Sequence, residues 1–115
     1  MRVIIAGSRS CEDVSAIYRA VEESKFEITT VISGTARGVD TYGEEWAIVN
    51  NVSLIRMPAN WTRYGRSAGK VRNVEMAMLA DALIAVWDGV SPGTGHMIDV
   101  ARAKGLQIHV YFFSP

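Results

Sequence analysis

The chain has one cysteine, three prolines and no surplus of either charge. Cys11 alone forms neither an internal disulfide nor a cysteine-based zinc site. Twelve basic residues are balanced by twelve acidic ones, so no global field draws the protein to nucleic acid or to a membrane. An anion would have to be held by local chemistry. The longest unbroken apolar run, Ala82 to Trp87, is far short of the ~20 residues that cross a bilayer, and Met1 to Ala6 is too short for a signal-peptide core. A cytoplasmic protein with no membrane partner is expected. Two nucleotide signatures are missing too. No Gly-x-Gly-x-x-Gly follows the first apolar run and no acidic residue ends the second, which argues against ordinary NAD binding. Gly65 to Lys70 mimics a P-loop but is one residue short, and Val71 stands where the magnesium-binding Ser or Thr belongs.

What the chain does have is a regular alternation of apolar runs and helical periods. Val3 to Ala6 predicts a first strand ending at Gly7. Ser10-Cys11-Glu12-Asp13 resembles a capping box, and Val14, Ile17, Tyr18 and Val21 share one face of a helix ending near Lys25. Ile28 to Ile32 predicts a second strand, and helical spacing returns from Gly38 to Asn50. Val52 to Met57 predicts a third strand, followed by a long irregular connection from Ala59 to about Gly69. A helix from about Lys70 to Ala80, a strand Ala82 to Trp87, a helix from about Gly95 to Lys104 and a strand Gln107 to Phe112 complete the chain. At 115 residues with 49% apolar content, one domain spanning 1–115 is expected. The alternation predicts an α/β, Rossmann-like fold: a five-stranded parallel sheet, order 3-2-1-4-5, with four helices on its two faces.

Three glycine-rich turns would then open at the carboxyl edge of the sheet, where such folds bind ligands. Gly7-Ser8-Arg9 follows the first strand. Ser33-Gly34-Thr35-Ala36-Arg37-Gly38 follows the second, with Asp40 in the first turn of the next helix, either as a helix-start residue or as a contact to a ligand hydroxyl. Asp88 to Gly95 follows the fourth and sets Gly93 and Thr94 at a helix start. Glycine admits close backbone approach, and helix N-termini offer free N–H groups and partial positive charge to a phosphate. Arg9, Arg37 and Arg72 are the expected neutralising cations. The connection 59–73 carries Arg63, Arg66, Lys70 and Arg72 with two aromatics, Trp61 and Tyr64, and no acid. Such a segment could close as a lid over one base or grip single-stranded nucleic acid. His96 and His109 lack ligand spacing, no metal or cofactor is expected, and Met76, Met78 and Met97 are expected to pack the core.

Together Gly7-Ser8-Arg9, Ser33-Gly34-x-Ala36-Arg37-Gly38-Val39-Asp40, Arg72-Asn73-x-Glu75-Met76 and Asp88-Gly89-x-Ser91-x-Gly93-Thr94 with Ile98-Asp99 resemble the SLOG superfamily, in its small YspA-like, YpsA-related branch. The resemblance runs through essentially the whole chain. It implies a nucleotide or nucleotide-derived ligand, because the superfamily includes DNA-processing proteins, which bind single-stranded DNA, and "lonely guy" phosphoribohydrolases, which split nucleoside monophosphates. Several relatives are dimers, so a homo-oligomer is also implied. The chain departs from the phosphoribohydrolase pattern at two places: Asn73 replaces a lysine, and Met97 occupies the position of the expected glutamate. If a bond is cleaved, Arg72, Glu75, Asp88, Asp99 or Asp40 would have to supply the chemistry.

Overall fold

The computed structural model describes residues 1–114. Among them, five parallel strands form one sheet in the order β3-β2-β1-β4-β5: β1 (Arg2–Gly7), β2 (Thr30–Ser33), β3 (Ser53–Arg56), β4 (Ala82–Trp87) and β5 (Gln107–Phe112). Helices α1 (Val14–Ser24) and α2 (Val39–Val49) pack on one face, and α4 (Ala68–Leu79) and α5 (Pro92–Ala103) on the other. The central strands explain this arrangement. Val3 and Ile5 point into a core with Ile17, Val31, Ile84 and Val86. Ile4 alternates to the opposite face and meets Ile32, Leu83, Met76, Met97 and Ile98. Each such side chain removed from water stabilises the fold by about 1.5–3 kcal/mol before entropy is counted. A strand apolar on both sides is stable only between two helical layers.

Four local expectations need correction. The cap of α1 is Asp13, whose Oδ1 accepts the Ser15 N–H at 3.0 Å, rather than Ser10. The connection after β3 is not irregular: Asn60 accepts the Arg63 N–H at 3.0 Å and starts a short helix, α3 (Trp61–Tyr64). Gly65 then leads through a single 3-10 turn into α4, so the four helices that cover the sheet are those expected and α3 is an added turn between β3 and α4. Helix α5 begins at Pro92, three residues before Gly95, because proline suits the first helical position. Met76 and Met97 are core residues as expected, but Met78 is 68% exposed on the outer side of α4. No helix among the described residues is long and apolar enough to cross a membrane.

Candidate functional site

The chain reverses direction across the sheet between β1 and β4, whose carboxyl ends lie side by side with Gly7 opposite Val86. Ser8, fully buried, fastens the three turns at this point. Its N–H donates to Val86 O (3.1 Å), its carbonyl accepts from Val39 N–H (3.4 Å), and its hydroxyl accepts the Asp88 N–H (3.2 Å). One small residue thereby ties the ends of β1 and β4 to the start of α2. Gly38 makes the approach possible. Its φ of 73° is open to glycine, and a methyl group there would lie 2.6 Å from Ser8 O.

Above these turns lies a cleft of about 590 Å³ between the β1 turn, the start of α5 and the segment 61–76. Arg9, Arg66, Lys70 and Arg72 line it, and none of the four has an ion-pair partner among the described residues. Gly93 and Thr94 form its opposite wall. The first helical N–H of α5 to find a backbone acceptor is that of Gly95, to Ser91 O at 3.1 Å, so those of Gly93 and Thr94 occupy the orphan positions of the first turn.

One carboxylate, Asp40, lines the cleft. It is 5% exposed, and its Oδ2 accepts the Ala36 N–H at 3.1 Å, closing the glycine turn after β2. Burial raises its pKa above the ordinary carboxylate range, while the Ala36 hydrogen bond and the Arg72 charge pull it back. Arg72 sits half-buried, with Nη1 donating to Gly34 O and Nε to Asn73 Oδ1 at 3.2 Å. Burial lowers its pKa, nearby Asp40 opposes this and Arg9 adds to it; as an arginine it keeps its charge.

The structure brings Gly7, Ser8, Arg9, Ala36, Asp40, Arg72, Asn73, Gly93, Thr94 and Trp61, which was expected in a lid, to this cleft. Gly34 and Thr35 line a smaller adjoining hollow. Ser33 lies behind the turn, fully buried, donating to Glu44 Oε2 (2.6 Å) and accepting from Thr35 N–H (3.0 Å). Arg37 is exposed and lines neither hollow. Tyr64 is also outside, under the Arg63 guanidinium at 5.1 Å. Of the acids, Glu75 is exposed on α4 outside both hollows, and Asp99 pairs with Arg102 at 3.6 Å on the outer face of α5. Asp88 is engaged in its own turn, accepting Val90 N–H, Ser91 N–H and the Ser91 hydroxyl at 2.9, 2.7 and 2.6 Å. Those bonds lower its pKa to about 2.

His96 escaped the sequence reading. It lines the cleft, and its Nδ1 lies 3.0 Å from the Asn73 amide nitrogen, which also donates to Gly93 O at 3.3 Å. With the amide donating, Nδ1 is the acceptor and the neutral ring carries its proton on Nε2. The available signal was its position four residues after Pro92, one helical turn into α5 on the side of Gly93.

Comparison with known proteins agrees with this architecture. The chain is 32% identical over 116 residues to the Gene 61 protein of Mycobacterium phage D29, covering 93% of each. Its fold is similar to that of DNA processing protein A from Streptococcus pneumoniae, with a TM-score of 0.77 at 17% identity over 95% of this chain. It spans about half of that protein, 49%. Residues 1–64, which hold the first two glycine turns and α3, match the family described as YspA, cpYpsA-related SLOG. The chain belongs to the YspA, cpYpsA-related SLOG family.

Proposed function

We propose that the chain binds a nucleotide or nucleotide-derived anion in the cleft above β1 and β4. The observation that carries this reading is the set of four cations, Arg9, Arg66, Lys70 and Arg72, facing one cleft without a carboxylate partner among the described residues. A phosphate there would take the free N–H groups of Gly93 and Thr94 and the guanidinium groups of Arg9 and Arg72. The base would stack toward Trp61, which is 56% exposed at the cleft mouth. Fold likeness to a DNA processing protein and SLOG membership support a ligand of this chemical class. A nucleotide at a hundred times its Kd adds about 2.7 kcal/mol to stability, so melting should rise by about 10 °C. A broad panel of nucleotides producing no shift would refute the reading.

A second reading, hydrolysis of an N-glycosidic bond, rests on Asp40. It is the one carboxyl lining the cleft among the described residues, and burial favours its protonated form. A protonated Asp40 would give its proton to the departing base as water adds to the sugar carbon. Chromatography of nucleoside monophosphates incubated with the protein would detect free base. No release over hours, or equal release by Asp40→Asn, would dismiss it.

A further inference from the structure

The cleft does not end at the β1 turn. A second hollow of about 220 Å³ opens over the ends of β2 and β3, sharing Arg9, Ala36, Trp61 and Arg72 with the larger one. Its own walls are Gly34, Thr35, Pro58 and Ala59, none of them charged. The site therefore has two lobes, with Arg9 and Arg72 common to both at the waist. The larger lobe falls within the roughly 300–1,000 Å³ of ordinary small-molecule pockets, and the smaller falls below that range. It suits one ring of sugar size.

Charge narrows the choice further. The two shared arginines repel each other, which contributes to the lowered pKa of Arg72, and neither has an ion-pair partner among the described residues. Two guanidinium groups are better matched by two linked phosphates than by one, because each can take oxygens of its own phosphate. Past them, the uncharged small lobe offers the Thr35 hydroxyl and backbone groups, which suit a polar but neutral group.

Resting on the nucleotide-binding reading above, we propose that the ligand is a nucleoside diphosphate whose distal phosphate carries a second, uncharged ring. The nucleoside occupies the larger lobe, the diphosphate spans the waist between Arg9 and Arg72, and the distal ring fills the small lobe beside Thr35 and Ala59.

Calorimetric titration with ADP, GDP and UDP, each paired with its sugar-linked form (ADP-ribose, GDP-mannose, UDP-glucose), tests this. One sugar-linked diphosphate should bind at least tenfold more tightly than its unlinked partner. Ala59→Leu, which fills the small lobe from the β3 side, should erase that gain while leaving the plain diphosphate bound as in the native chain. Thr35→Asn narrows the same lobe from the β2 side at a position whose φ of 65° asparagine tolerates, and should reduce the gain as well. Circular dichroism melts establish that both variants fold. Equal binding of every linked and unlinked pair, or a gain that survives both substitutions, would overturn the two-lobed ligand while leaving nucleotide binding intact. Should none of the six compounds bind, nucleotide binding itself fails and this inference falls with it.

Discussion

Gly7 and Gly93 belong to turns of similar appearance in the sequence, yet the structure gives an added methyl group opposite consequences at the two positions. At Gly7 the methyl carbon would lie 2.0 Å from Val86 O and 2.8 Å from Val39 Cγ2. Neither neighbour can yield cheaply: one is backbone of a central strand, the other a fully buried side chain at the start of α2. Overpacking of this kind costs about 1–3 kcal/mol, and the backbone clash places Gly7→Ala at the upper end. At about 4 °C per kcal/mol for a chain of this size, melting should fall by about 12 °C. At Gly93 no heavy atom lies within 4 Å of the added carbon. The residue sits in the first turn of α5, where alanine gains some of its ~1 kcal/mol helical advantage over glycine. Gly93→Ala should therefore melt at the native temperature or up to about 4 °C above it. Melts followed by far-ultraviolet circular dichroism decide the matter. If the two variants melt within about 3 °C of each other, the packing of Gly7 against β4 described here is wrong.

The same freedom makes Gly93→Val the cleaner probe of binding: it should keep the native melting temperature and lose at least tenfold in nucleotide affinity by calorimetry. Gly34→Val is not equivalent, since its first carbon would meet Arg72 Nη1 at 2.7 Å and Asp40 Oδ2 at 2.8 Å, so folding and binding should fail together. Asp40→Asn tests the buried carboxyl. Because the folded pKa is raised, the stability linked to Asp40 is complete below the unfolded value of 3.8 and is lost as pH rises through the folded value. The variant lacks that loss, so its melting temperature relative to the native chain should climb as pH rises above 3.8, and a flat difference would contradict the assignment. Asp88 behaves in the opposite sense: stability from its turn is present above 3.8 and is lost as pH falls through about 2. Asp88→Ala should melt below the native chain at neutral pH, with the gap closing in acid. Arg66→Ala, at an exposed position, should weaken nucleotide affinity chiefly at low salt, whereas Arg72→Met, half-buried, should weaken it at every ionic strength tested in a titration series.

The sheet order and the position of the cleft were legible because they depend on periodicity. Five apolar runs separated by helical spacings admit few topologies, and the reversal at β1 and β4 follows from the preferred hand of the crossovers. The site residues were legible only as far as backbone position determines them. Gly7, Gly34 and Gly93 had to gather at the carboxyl edge, but the direction of a long side chain next to a glycine turn is not encoded in spacing. Arg37 is exposed on its turn, Arg66 reaches the cleft from a 3-10 turn that was not foreseen, and Lys70 reaches it from the first turn of α4. His96 was missed because the side it faces is set by the packing of α5 against α4, which brings its Nδ1 to 3.0 Å from the Asn73 amide nitrogen. Asp88 was a candidate acid by type, yet the Ser91 hydroxyl and two N–H groups of its own turn engage it first.

A net charge of zero also hides how the charges are spent. Several acids are committed away from the cleft: Glu44 holds Arg56 at 2.8 Å and the Ser33 hydroxyl, Asp13 caps α1 and meets Arg19, and Asp99 meets Arg102. What lines the cleft is Arg9, Arg66, Lys70 and Arg72, with Asp40 as its one carboxylate among the described residues, and burial works against the charge of that carboxylate. Surface ion pairs contribute little stability, so distributing the acids among them costs the fold almost nothing. The consequence falls on the cleft. An anion entering it meets cations without ion-pair partners among the described residues, and at half-buried Arg72 part of the desolvation was completed when the chain folded. A site prepared in this way favours a multiply charged ligand over a singly charged one, because each added phosphate finds another unpaired cation rather than displacing a carboxylate.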